Sequence, residues 1–309
     1  MSMIANTELK IFQIISEPTS IKTIAKTMGI NNSTASRYTD RLVKNGLAQK
    51  VRKGKKVFVT RSDSVHAQEL TTFIREFPNL RISDIFSYST LEILSVIKTE
   101  KNVTQISLIT GLSRTKVYKV INNLTKIGVI LKSRGYYVNP NHRVLQKFID
   151  VYFSYLNFYN LKVIEPNSII LWQRGHEFLF KSKHPITHKN IHLTATSKFN
   201  QYAIQIFTAE YYYYHTNHPK KLCTSEYIIH TILAEPQSMR NNMYACLLYQ
   251  KTMPKDIFQW AKAYDIQDHI KVLMEFLEKR KKNANFVPPW EEYRAMAEDY
   301  GVMKNKVKI

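Results

Sequence analysis

The chain has 309 residues, with 45 Lys and Arg against 24 Asp and Glu, for a formal net charge of +21. With 44% hydrophobic residues and only 8 Gly and 10 Pro, it is neither collagen-like nor a disordered polyelectrolyte. Its length predicts two or three domains of roughly 100–150 residues each. Cys223 and Cys246 are too few for a disulfide framework or a four-cysteine zinc site and read as free thiols. No apolar run approaches the roughly 20 residues that cross a bilayer, and the N-terminus lacks a basic segment followed by an apolar one. A cytoplasmic protein is therefore expected, its positive excess suited to nucleic acid rather than to a membrane.

The first predicted helix is Thr7–Glu17, with Leu9, Ile11, Phe12, Ile14 and Ile15 on a wide apolar stripe and Pro18 as its stop. A short helix, Ile21–Met28, ends at Gly29, where a left-handed residue is cheapest. Asn31 or Ser33 can cap a third helix, which runs to about Asn45 and turns at Gly46. Strands Leu47–Val51 and Val57–Thr60 then flank a basic tip. After an acidic connector the order recurs: Leu91–Thr99, Val103–Thr110, Gly111, a Ser113 cap, a helix to Ile127, and strands Val129–Lys132 and Tyr136–Asn139. Over about 42 residues the two stretches superpose at an offset of 82 without a gap, matching Leu9 with Leu91, Ile15 with Ile97, Gly29 with Gly111, Leu42 with Leu124 and Gly46 with Gly128. Charge follows the repeat. Residues 1–62 hold 12 basic and 3 acidic side chains, residues 63–87 hold 2 and 4, residues 88–143 hold 9 and 2, and residues 144–309 hold 22 and 15.

This order resembles the winged helix-turn-helix family of bacterial and archaeal transcription regulators. Ile24 to Tyr38, continuing through Leu42 to Leu47, carries the resemblance in the first copy. Ile106 to Tyr118, with Leu124 to Val129, carries it in the second. The resemblance implies that the third helix of each copy enters the major groove while the hairpin lies along the backbone. The residues expected at DNA on the first helix are Ser33, Thr34, Ser36, Arg37, Arg41 and Lys44, with Asp40 beside Lys44 as an i,i+4 pair. On the second helix they are Arg114, Thr115, Lys116, Tyr118, Lys119, Asn122 and Asn123. Arg can bond guanine twice and Asn can bond adenine twice, so Arg37, Arg41, Arg114, Asn122 and Asn123 are the expected base readers. The lysines, with the tips Arg52, Lys53, Lys55 and Lys56 and Lys132 and Arg134, are expected on phosphates.

Beyond this, Arg143–Leu161 reads as an aromatic-rich helix. Strands are expected at Ser168–Gln173, Glu177–Lys181, His192–Thr196, Ala203–Phe207 and Tyr211–His215. Helices are expected at Thr224–Ala234, Met239–Lys251, Lys255–Tyr264, Asp268–Lys281 and Trp290–Tyr300. The expected fold class is α+β: two tandem winged helix-turn-helix domains (1–62 and 88–142, with a helical connector 63–87) followed by a C-terminal α+β domain (143–309), strands first and helices after. His184, His188 and His192 are spaced by four, but Pro185 and the strand-like residues after them favour a polar loop over a metal site. His230, on an apolar helix face, reads as a core histidine. No phosphate-cradling glycine loop or paired catalytic carboxylates are visible, so no enzyme, no cofactor and no metal are expected.

Leu193–Tyr202, Tyr211–Tyr214, Ser225-Glu226 and His230–Leu233 are similar to archaeal regulators whose C-terminal domain resembles abortive-infection antitoxins. The function expected is sequence-specific binding of double-stranded DNA in transcription regulation, the C-terminal domain holding a protein partner or effector, with a homodimer compatible with it. Two alternatives stay open. One is an antitoxin that autoregulates its operon and binds a nucleotidyltransferase-like toxin. The other is a nucleic-acid-processing enzyme or replication initiator.

Overall fold

In the computed structural model, residues 4–54, 56–80, 82–218 and 221–303 are described. The chain is α+β and divides into two compact units, Met1–Tyr159 and Asn160–Ile309.

The first unit holds both repeats. The first repeat consists of α1 (Asn6–Ile14), β1 (Thr19–Ser20), α2 (Ile21–Met28), α3 (Asn32–Lys44), β2 (Ala48–Lys53) and β3 (Lys56–Arg61), with an antiparallel sheet ordered β1-β3-β2. After α4 (Val65–Glu76) and α5 (Ile82–Ile85), the second repeat consists of α6 (Tyr88–Val96), α7 (Val103–Thr110), α8 (Arg114–Lys126), β4 (Ile130–Lys132) and β5 (Tyr136–Val138). A 3₁₀ turn, Pro140–His142, then leads into α9 (Arg143–Ile164).

Backbone bonding repeats as well as sequence, at the offset of 82 up to the first hairpin strand and at 77 beyond the shorter second hairpin. Arg61 N–H donates to Ile15 O in the first repeat, and Val138 N–H donates to Ile97 O in the second. Leu47 N–H reaches Leu42 O and Val129 N–H reaches Leu124 O; Ser62 N–H reaches Leu47 O and Asn139 N–H reaches Val129 O. β1 has its counterpart too, because Thr19 pairs with Val59 and Lys101 bridges to Tyr136. The core obeys the same shift: Leu9, Ile15, Ile24, Ala35, Leu42 and Leu47 are buried, and so are Leu91, Ile97, Ile106, Val117, Leu124 and Val129. Each unit therefore closes on one apolar set, the helices presenting their inner stripes to a common centre. α4 and the N-terminal part of α9 extend this core. His66 Nε2 of α4 donates to Asn45 O (3.0 Å) and the ring lies against the Tyr155 ring (4.5 Å), while Phe86 meets Phe148 at 5.4 Å.

In the second unit, β6 (Ile169–Arg174), β7 (Glu177–Ser182), β8 (Ile191–Leu193) and β9 (Tyr211–His215) form an antiparallel sheet ordered β6-β7-β9-β8. Helices follow: α10 (Thr224–Ala234), α11 (Met239–Thr252), α12 (Ile257–Ala263), α13 (Gln267–Lys279) and α14 (Trp290–Asp299). The four tyrosines of β9 alternate as the strand period demands. Tyr213 joins Leu161, Phe178, Phe180 and Ile191 on one face, while Tyr214 stacks on His230 of α10 (4.5 Å) on the other.

Several expectations are corrected. Ala203–Phe207 is not a strand: Ala203, in the left-handed region (φ 53°), closes a 3₁₀ helix over Ala195–Tyr202, and the residues after it are irregular. β8 stops at Leu193 for the same reason, since Ala195 is also left-handed (φ 49°). The first helix ends at Ile14, four residues before Pro18, with Ile15 N–H bonded to Ile11 O.

Candidate nucleic-acid interface

α3 begins where Asn31, rather than Ser33, caps it. The Asn31 side chain accepts from Thr34 N–H at 2.8 Å, and Ser33 Oγ in turn donates to Asn31 Oδ1 (2.8 Å). Ala35, Thr39 and Leu42 are buried, which turns Ser33, Arg37 and Lys44 outward and leaves Thr34, Ser36 and Arg41 half-buried. Ser33, Ser36, Arg37, Asp40, Arg41 and Lys44 line one open concavity of about 470 Å³. The Arg37 guanidinium lies 5.5 Å from the Tyr38 ring centroid, within the range of a cation–π contact.

Two partners on this face are new. Arg41 Nε lies 2.6 Å from Glu8 Oε1, and Glu8 is fully buried. Burial pushes the Glu8 carboxyl up, while the Ala5 N–H and Arg41 pull it down. Arg41 is thus anchored from behind by α1, whereas Arg37 is exposed. Asp40 does not pair with Lys44: its carboxylate lies 2.5 Å from Lys50 Nζ of β2, tying the helix to the hairpin and leaving Lys44 outward. Glu8 stands four residues before Phe12, on the buried side of α1. A carboxylate at an apolar-stripe position was the signal that a cation would have to come to it.

α8 is capped by Ser113, whose hydroxyl accepts from Lys116 N–H at 3.3 Å. Val117, Val120, Ile121 and Leu124 are buried. Arg114, Thr115, Lys116, Tyr118, Lys119, Asn122 and Asn123 are all exposed. Every residue expected on this helix therefore faces solvent, Tyr118 included at 50% exposure. On the hairpins, Arg52, Lys53 and Lys56 are exposed, with Lys53 directly opposite Lys56. Lys55 lies outside the described residues. Lys132 and Arg134 are exposed on the shorter second hairpin, Lys132 Nζ sitting 5.9 Å from the Tyr136 ring.

The second unit handles charge differently. Arg174 lies in an ion pair with Glu177 (3.1 Å), donates to Ala263 O (2.6 Å) and lies over the Tyr264 ring (4.8 Å). Burial pulls its guanidinium down, but Glu177, Tyr264 and Tyr214 together outweigh that and hold it above its ordinary range. The Tyr264 hydroxyl meets Glu226 (3.1 Å), Tyr214 (3.3 Å) and His230 Nε2 (3.1 Å), and His230 Nδ1 meets Thr194 Oγ1 at 2.8 Å. His230 is fully buried with both ring nitrogens bonded, as its place on an apolar face predicted. These groups satisfy one another inside the fold and form a structural network rather than an open reaction centre. Among the described residues, no group of three or more His, Cys, Asp or Glu is arranged to hold a metal ion. His188 bridges to Ile191 in a turn and His192 lies on β8, so the four-residue spacing of the histidines is not a helical face. Both cysteines are free, and burial pushes the Cys223 thiol up to about 12.

Residues 188–302 match the family model described as HVO_2833_C, C-terminal. The match falls wholly within the second unit. Among curated proteins and among solved structures, nothing matches this chain. Among the described residues, no helix is long and apolar enough to cross a membrane.

Proposed function

We propose that this chain is a cytoplasmic regulator of transcription that binds double-stranded DNA sequence-specifically through two winged helix-turn-helix domains, one per repeat. One observation carries the reading. The same hydrogen-bonded frame, helix–helix–helix–hairpin, occurs twice, its three helices and first hairpin strand at an offset of 82, and both copies turn the outer face of the third helix and the hairpin tip to solvent with cations on them. A single basic helix is an ordinary solvated face. Two related by one sequence shift, each backed by a basic hairpin, suit two successive visits to a charged duplex. α3 would place Arg37 at base edges with Arg41 held behind it, and α8 would place Arg114, Asn122 and Asn123 there. The second unit, which matches the family model, would contact a protein partner or an effector.

The test is selection of duplexes from a randomised pool by the full chain. A recurrent sequence should be enriched, and Asn122→Ala should relax the choice at one or two adjacent positions while leaving the remainder. Recovery of no preferred sequence, with equal retention of all duplexes, would sink the sequence-specific reading.

A further inference from the structure

In the second repeat, a polar cleft of about 520 Å³ opens between α8 and the start of α6. Lys116, Lys119 and Lys126 line one wall. Among the described residues, no carboxylate forms an ion pair with any of the three, and the single acid of the lining is Asp84. Ser87, Ser89 and Thr90 form the opposite wall. Ser87 caps α6, its hydroxyl accepting from Thr90 N–H (3.2 Å), so that wall carries the positive end of the helix as well as hydroxyl donors.

In the first repeat the corresponding junction carries an internal ion pair, beside the open concavity on the outer face of α3. The offset of 82 carries Thr90 onto Glu8 and Asn123 onto Arg41. There, the buried Glu8 carboxylate accepts from Ala5 N–H at the helix start (2.9 Å) and meets Arg41 at 2.6 Å. An internal anion thus occupies the junction of the first and third helices in one repeat. In the other, threonine and asparagine replace the pair, so no carboxylate stands at the place of Glu8, and the three lysines of one wall face a lining whose single acid is Asp84. We propose that the second-repeat cleft is an anion site that seats a phosphate group, doing with an external anion what Glu8 does internally in the first repeat. The proposal stands on the cleft and its charge. Only its DNA arm rests on the duplex-binding reading above, where the phosphate is one of the backbone.

The test compares the full chain with Lys126→Gln, a change at an exposed position, and with the double variant Thr90→Glu, Asn123→Arg, which transplants the first repeat's pair. One arm measures duplex affinity against salt. Lys126→Gln should make the log–log slope shallower by about 0.9, the contribution of one phosphate, with site preference unchanged. The other arm omits DNA and measures melting temperature in inorganic phosphate against chloride at equal ionic strength. Phosphate should raise the wild-type melting temperature, and both variants should lose that rise. A loss in the phosphate arm alone assigns the site to a free phosphorylated ligand, and a loss in the slope arm alone assigns it to the duplex. If Lys126→Gln leaves both the slope and the phosphate response at wild-type values, the cleft is not an anion site. A wild type that binds no duplex but still shows the Lys126-dependent phosphate rise overturns the DNA reading and keeps the site.

Discussion

The two units put their charged groups to opposite uses. In the first, cations stand on the outer face of α3, α8 and the hairpin tips, with the apolar positions of both repeats packed behind them. In the second, Arg174, Glu177, Glu226, His230, Tyr214 and Tyr264 are drawn inside and satisfied by one another. An exposed cation costs little to keep and is available to a partner, whereas a buried one is committed to the fold. Positive charge alone therefore does not locate an interface. The difference between held and offered charge does.

Removing a held charge should have the largest effect. Arg174→Ala leaves Glu177 buried without its partner and should cost about 3–5 kcal/mol of stability. Urea unfolding followed by a signal from the second unit would show it, while duplex affinity of the still-folded protein should not change. A loss below about 1 kcal/mol would mean that the pair is solvated and the contrast between the units is weaker than drawn.

Next come the equivalent glycines of the two repeats. Gly46 (φ 69°) and Gly128 (φ 74°) both turn the chain after the third helix in the left-handed region. Gly128→Ala meets open space and should cost about 1–2 kcal/mol from backbone strain alone. Gly46→Ala would put a methyl group 2.6 Å from the Tyr155 ring and 2.9 Å from His66, adding roughly 1–3 kcal/mol of overpacking. Equal losses in the two variants would show that α4 and α9 do not press on the first repeat as described.

A pH series probes buried rings, which the first unit also holds in His66 and His142, both lowered by burial. Burial lowers the His176 ring to about 3 and the His215 ring to about 4. Both depressed values lie below the unfolded value of roughly 6.5, so the unfolded chain takes up protons first. The contribution of the second unit to stability should be intact above about pH 6.5 and fall as pH drops toward 4 and then 3. A contribution that stays flat over that window would place those rings in solvent.

Smaller effects concern offered charge. Arg37→Ala should cost about 1–3 kcal/mol on a preferred duplex and relax its sequence, the loss expected of one good base contact. Lys53→Ala in the first hairpin should weaken all duplexes alike and flatten the salt slope by about 0.9. If Arg37→Ala weakens preferred and random duplexes equally, the base reader lies elsewhere on the face.

Much of this was legible in the sequence, for identifiable reasons. The repeat was readable because Leu9 and Leu91, Gly29 and Gly111, and Leu42 and Leu124 mark local requirements, an apolar stripe or a left-handed stop, that any copy of the frame must meet. α2 and α7 consequently lie where periodicity put them. Ala203–Phe207 was misread because alternation of apolar residues says nothing about the left-handed backbone that Ala195 and Ala203 adopt. The Glu8–Arg41 and Asp40–Lys50 pairs were not legible as pairs, since each joins elements whose separation in sequence carries no contact information. The cleft beside α8 was hidden for the opposite reason: Thr90, and not a carboxylate, stands at the place of Glu8, which acquires meaning only when both helix junctions are seen in three dimensions.

The most direct test of the central claim is the affinity of the full chain for duplex DNA measured from low to moderate salt. With both repeats engaged, about 5–8 phosphates should be neutralised, giving a log–log slope of roughly −4.5 to −7. A flat dependence would contradict the account, because the cations of α3, α8 and the hairpins would then be solvated faces and not an interface.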